Sequence, residues 1–315
     1  MGDFPRFTRG QLLALTVPAL ISVALFYSGI FSFIFAVPLQ VMFTRHGVRH
    51  GMRVAVSTAA VLLVVHMVQV ARLRGLTDVS TGVLILDALM PVGFLTGLVL
   101  FNVLSRPWWF RLPLAGAVAL AGALPGMISL MGLTEGAGSE QLAAVFQALG
   151  VGGNWELWID LFRQVLFSTV GFGMVAGIAV NWWFGRALVL RSRGVSASLR
   201  SARVPDQLIW FLIAGLALVV LAWLQGSGVA RVIGWNTLLV SAFLFAVQGL
   251  GLIQHLLHLR GVGEAGQRMV LTLALILMVV PGLNAIVTGG LPLFGVSELW
   301  IDYKRGEHNE GYTEQ

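Results

Sequence analysis

Cysteine is absent from the 315 residues, and lysine occurs once, at Lys304. Without a thiol there is no disulfide, no thiolate metal ligand and no cysteine nucleophile. Charge of either sign is scarce: 11% of residues are Asp, Glu, Lys or Arg. A water-facing surface needs roughly twice that share. The phosphate-binding loop, the paired-histidine zinc motif and the serine elbow are missing from the sequence, so an enzyme has no motif to rest on. Movement driven by ATP would need a separate subunit.

What the chain does have is apolar length. Hydrophobic residues make up 57%, and the mean hydropathy is +0.86. The stretches 208–224 and 232–253 contain no charged residue. Each approaches the roughly 20 residues that cross a bilayer core about 30 Å thick. A soluble helical core would carry a polar face on each helix, and these segments carry none. The expected fold class is therefore all-α, a polytopic transmembrane helical bundle of about nine spans. The apolar runs place those spans at 12–27, 30–43, 52–71, 82–104, 112–131, 159–190, 208–224, 232–255 and 269–288. The first two are short and are separated by Gly29; merging them gives an eight-span alternative. The first run lacks a small-residue cleavage site and reads as a retained span and not a removed signal.

Arginines fall into alternate loops. One set holds Arg6 and Arg9, then Arg45, Arg49 and Arg53, then Arg106 and Arg111, then Arg186 to Arg203, then Arg260 and Arg268. The other set holds only Arg72, Arg74, Arg163 and Arg231. Arginine-rich short loops stay cytoplasmic, which predicts a bacterial inner-membrane protein with its N-terminus inside. The isoelectric point near 10.9 thus reflects topology, and no nucleic-acid partner is expected. The serine- and arginine-rich loop divides the chain into a six-span bundle over 1–190, a basic loop over 191–207, a three-span part over 208–305 and a polar tail over 306–315. The segment 139–149, in the outer loop, reads as a short amphipathic helix, either a lid or a headgroup-level surface helix. The stretch 293–303 is too short to span and ends in Trp300 and Tyr303, residues that favour the interface.

An ionisable group at membrane depth is expensive and marks a functional candidate. Asp87 lies about a turn and a half inside the fourth span: either a ligand or proton site facing a cavity from outside, or a structural acid. Asp160 and Arg163 form an i,i+3 pair at the outer start of the sixth span, self-satisfied or ligand-binding. Asn102, Asn181, Asn236, Gln248 and Asn284 are uncharged polar groups, of a type that usually joins helices. Gln248, beside Gly249 and Gly251, is the deepest. The ligand-binding set is thus Asp87, Asp160, Arg163, Gln248 and Asn102. His46 with His50, and His255 with His258, could each share a helix face. They sit among arginines, which disfavour a cation, so no metal and no cofactor is expected. The four-residue spacing of Ala115, Ala119 and Ala123 is a close-packing signal.

The run from Phe243 to Leu252, followed by a basic link, and the run from Leu293 to Arg305 resemble the YybS-like bacterial membrane proteins, a family with a domain of unknown function. That family is distantly similar to the S components of energy-coupling-factor vitamin transporters. The resemblance implies a six-span solute binder with a cavity near the outer face. S components carry alanines spaced by four on the first helix to dock the coupling subunit. Here Pro18, Ser22, Ser28 and Ser32 stand instead. The expected function is a non-catalytic protein that binds or carries a small solute from the outer side. The alternative is a scaffold that recruits envelope or cytoplasmic partners through its arginine-rich inner loops. An intramembrane lipid-modifying enzyme finds no acid–base set.

Overall fold

The computed structural model describes residues 9–73, 81–134, 155–195, 197–277, 280, 283–301 and 303. Among them there are helices, two short 3-10 turns and no strand. The chain divides into two compact units, Met1–Arg193 and Gly194–Gln315.

The first unit opens with α1 (Arg9–Tyr27), and Gly29 breaks the chain at φ +71°. A 3-10 turn over Ser32–Ile34 leads to α2 (Val37–His46). The helix at 30–43 expected from the sequence is therefore in two pieces. Pro38 explains the second start: it has no N–H to donate and sits in the first turn of α2, where none is needed. With 10 residues, α2 rises about 15 Å, half a bilayer core. It stops at Gly47, φ +82°, and α3 (Val48–Leu73) begins at the next residue.

α4 (Thr81–Val103) and α5 (Trp108–Thr134) cross in antiparallel fashion at glycine. A methyl group on Gly93 would come within 2.6 Å of Gly122 Cα, and one on Gly97 would strike Ala115 O. Ala115, Ala119 and Ala123 are all buried, so the alanine stripe lies inside the bundle. In lipid, where there is no hydrophobic drive between helices, close backbone approach is what brings such a pair together. α6 (Trp155–Ser192) is one uninterrupted helix of 38 residues.

In the second unit α7 (Ile209–Gln225) and α8 (Gly228–Leu259) form an antiparallel pair. The turn between them uses Gly226 at φ +68°, and Ser227 Oγ caps α8 by accepting from Ala230 N at 3.3 Å. Gly215 meets the backbone of Leu238, and Gly234 that of Val219. α7 leaves Trp210, Leu216 and Trp223 exposed. The two tryptophans are about 20 Å apart along the helix, the placement of residues at opposite membrane interfaces.

The apolar run predicted as one span over 269–288 is instead two helices, α9 (Glu264–Leu277) and α10 (Leu283–Ser297). Each is under 25 Å long by helical rise. Nor does the chain stop at Gly289-Gly290-Leu291-Pro292: α10 passes through Pro292 to Ser297. Packing overrides the sequence signal there. Leu291, Pro292, Gly295 and Val296 are buried, and α10 runs antiparallel to α8, with Gly249 against Leu291 O and Gly295 against Phe245 O. Five described helical stretches are long and apolar enough to cross a membrane: Val48–Gln69, Trp108–Met127, Asp160–Ser192, Asp206–Gln225 and Gly228–Leu259. α1, α10 and the second half of α4 supply shorter apolar stretches.

Candidate functional site

The residues singled out in the sequence go to separate places. Asn102, near the end of α4, pairs with Gln40 of α2: Gln40 Nε2 donates to Asn102 Oδ1 at 3.0 Å, and Asn102 Nδ2 donates back to Gln40 Oε1 at 2.8 Å. Asn102 Nδ2 also reaches Leu98 O at 2.8 Å. Asp87 falls at the other end of α4, about 22 Å away by helical rise; its side chain lies outside the described residues. Asp160 and Arg163 meet at 2.7 Å near the start of α6, with side chains 56% and 35% exposed. An exposed pair of this kind contributes little to stability. The segment 139–149 lies outside the described residues. Asn181 Nδ2 joins α6 to the 3-10 turn through Phe33 O at 2.8 Å.

Gln248 is the only member of the ligand-binding set in the second unit, and it is fully engaged. Its Oε1 accepts from Val204 N at 2.8 Å, and its Nε2 donates to Gly295 O at 3.1 Å. One buried side chain thus ties the arginine-rich loop to α8 and α8 to α10. Two turns further along α8, Gln254 does something related. Its Oε1 accepts from Leu199 N at 2.7 Å and lies 3.5 Å from Ser198 Oγ. Gly251 lets the loop approach, because any side chain there would strike Leu199 O. The loop is therefore held backbone-first against α8, with Ala202 and Val204 buried and Arg203 exposed.

Where that loop meets the end of α8, a cavity of about 300 Å³ opens. Its walls are Ala197, Ser198 and Arg200 from the loop, Gln254 and His258 from α8, and the turn from Gly261 to Gly263. Glu264, Gln267 and Arg268 of α9 close it. The volume is at the lower end of the range for small-molecule sites. Its lining mixes apolar surface with several polar side chains, Ser198, Arg200, Gln254, His258, Glu264, Gln267 and Arg268. Arg200 Nε donates to Ser198 Oγ at 3.1 Å, and no carboxylate among the described residues pairs with its guanidinium. Arg268 and Glu264 hold each other at 3.0 Å. Gln267 Nε2 donates to Val262 O at 2.8 Å, which fixes the turn against the helix.

Gln254 and Gln267 did not stand out in the sequence, and Arg200 registered as a topology charge and as part of the arginine-rich loop of the scaffold alternative. The available signal was a glutamine at the basic end of an apolar run, four residues before a histidine. Nothing in that spacing indicates that a loop 55 residues earlier folds back onto it.

Residues 189–291, about a third of the chain, match the sequence model of a family described as a predicted membrane protein (DUF2232). The match contains the loop, α7, α8, α9 and the first part of α10, and so every wall of the cavity. No curated protein and no solved structure matches the chain. The match takes in the run 243–252 but ends before the run 293–305, the two segments that carry the resemblance drawn from sequence, and it does not extend to residues 1–188, where the layout of a transporter S component was expected. With a matched membrane-protein segment and five helices long enough to span, the chain is a predicted membrane protein of unknown function.

Proposed function

We propose that the chain is a non-catalytic, polytopic protein of the bacterial inner membrane that binds a small solute in the cavity between loop 197–205, the end of α8 and the start of α9. The observation that carries this reading is the built character of that cavity: polar side chains from three segments converge on one space, and Gln248 and Gln254 pin its loop wall. Arg200, Arg203, Arg260 and Arg268 gather at this end of the second unit. By the positive-inside rule that end faces the cytoplasm, with the N-terminus on the same side. The site is thus on the face opposite to the one the sequence suggested, and Asp87 would serve a distinct outer site.

Purified protein screened against a solute library by thermal shift tests the reading. A ligand should raise the unfolding temperature of the wild type and leave Ala197→Trp, whose indole would fill the cavity, unmoved. Equal shifts in both proteins would refute binding at this place. An Asp87→Asn variant that loses a response retained by Ala197→Trp would move the site to the outer end.

A second reading keeps the same face but changes the occupant. Arg203 is exposed on a loop whose backbone is held rigid, a geometry equally suited to docking an acidic segment of a protein partner. Arg203→Glu should then abolish co-purification of that partner, and no solute should shift the unfolding temperature of the wild type.

A further inference from the structure

We infer that the cavity is an oxyanion site, built to hold a phosphate-type group. The inference rests on the binding reading above and names its chemistry.

Three kinds of donor face the space, and each has a reason to be vacant. The first is the Gln254 amide. Leu199 N–H needs an acceptor and takes Oε1 at 2.7 Å, so the orientation of the amide is set by the backbone and its NH2 is left over. Gln254 is 3% exposed and borders the cavity, and its NH2 meets no acceptor among the described residues. That NH2 is free to donate to an oxygen atom bound there. The second is the guanidinium of Arg200. Its Nε is held by Ser198 Oγ, which aims the planar head and leaves its terminal N–H groups open. A fork of that kind matches a tetrahedral oxyanion with two parallel bonds.

The third is the first turn of α9. Gln267 N is the first amide bonded along the helix, to Gly263 O at 3.1 Å, so the N–H groups of Glu264, Ala265 and Gly266 have no helical acceptor. A helix start attracts anions by these amides and by its dipole. Glu264 carries the opposing charge, and Arg268 one turn later neutralises it at 3.0 Å. His258 adds a ring at the rim. The balance leaves one unpaired guanidinium, one free amide NH2 and a helix start around a space with no unpaired acid. The one carboxylate at the cavity, Glu264, is already paired with Arg268, which disfavours a cation, and a neutral apolar solute would leave all three donors unmet.

Such a group can come from a soluble phosphate ester or from the headgroup of an anionic phospholipid, since the cavity belongs to a membrane-embedded unit. The decisive variant is Gln254→Glu. It keeps an oxygen for Leu199 N–H, so the loop remains pinned, and replaces the free NH2 with a charge that repels an anion. Arg200→Gln, on the half-buried loop, tests the second donor without touching α8. Full-length protein in neutral detergent is titrated with inorganic phosphate and with glycerol phosphate at constant ionic strength. The same proteins are placed in phosphatidylcholine nanodiscs with and without phosphatidylglycerol, and retained lipid is measured by native mass spectrometry.

Binding of the soluble phosphates that weakens about tenfold or more in both variants establishes a free-phosphate site. Selective retention of phosphatidylglycerol, lost in both variants, establishes a headgroup site. Absence of both overturns the oxyanion assignment, as does equal binding by wild type and Gln254→Glu. A neutral solute that stabilises the wild type and fails on Ala197→Trp, with phosphate silent, overturns this inference and leaves the binding reading intact.

Discussion

Gln40 of α2 and Asn102 of α4 hold each other by both ends of their amides, at 3.0 and 2.8 Å, across 62 residues of sequence. Each amide gives one hydrogen bond and takes one, so neither keeps an unmet polar atom toward the other. α6 makes room for the pair through Gly185, where a methyl group would come within 2.6 Å of Gln40 Cβ.

A double-mutant cycle on that pair should show positive coupling. Interhelical hydrogen bonds in lipid contribute on the order of 1 kcal/mol. Gln40→Leu and Asn102→Leu should each lower the unfolding temperature, and the double variant should lose less than the sum. Strict additivity in denaturant titrations would show that the two amides do not support one another.

Gln248→Leu should detach the loop. Val204 N–H would lose its acceptor in a buried setting, at a cost of about 1–3 kcal/mol, and Gly295 O would lose a donor. We expect a lower unfolding temperature together with faster proteolysis between 197 and 205. A stabilised variant with an unchanged cleavage rate would refute the tie.

Two glycines of α10 should respond in opposite ways. Gly295→Ala puts a methyl group into Phe245 O and should force α8 and α10 apart, with a marked loss of stability. Gly289→Ala meets nothing within 4 Å and should be neutral or stabilising by about 0.5–1 kcal/mol, the helix cost of glycine. Equal effects would place α10 elsewhere than against α8.

Because the chain has no cysteine, single introduced thiols report topology without a background. Ser201→Cys, on the exposed part of the loop, should react with a membrane-impermeant maleimide only in inverted vesicles. Gln225→Cys, at the α7–α8 turn, should react only in right-side-out cells. The reverse pattern would invert the assignment of sides.

Much of the helical layout follows from apolar length, as with α3, α5, α7 and α8, because a run without charge has one stable solution in lipid. The break at Gly29 was legible for the same kind of reason, since glycine alone tolerates that φ without strain. The tail was not. Proline and paired glycines near 289–292 predict a stop, and only contact with α8 lets the helix continue. The site was largely hidden as well. Gln248 reads as a polar atom in oil, and its task of holding a loop backbone depends on a fold-back that sequence spacing does not encode. Gln254 was lost at the edge of its span, where glutamine is unremarkable.

The unbroken length of α6 also works as a ruler. From Asp160 to Arg186 the axis climbs about 39 Å. Inclined by about 40°, the steepest common tilt, that distance still covers about 30 Å of depth, the full thickness of the hydrocarbon layer. If Arg186 sits at one water boundary, the Asp160–Arg163 pair reaches the other. Exchanging its two charges should leave the fold in place, and shortening the helix by one turn leaves about 34 Å, which still spans the layer but only with a smaller tilt.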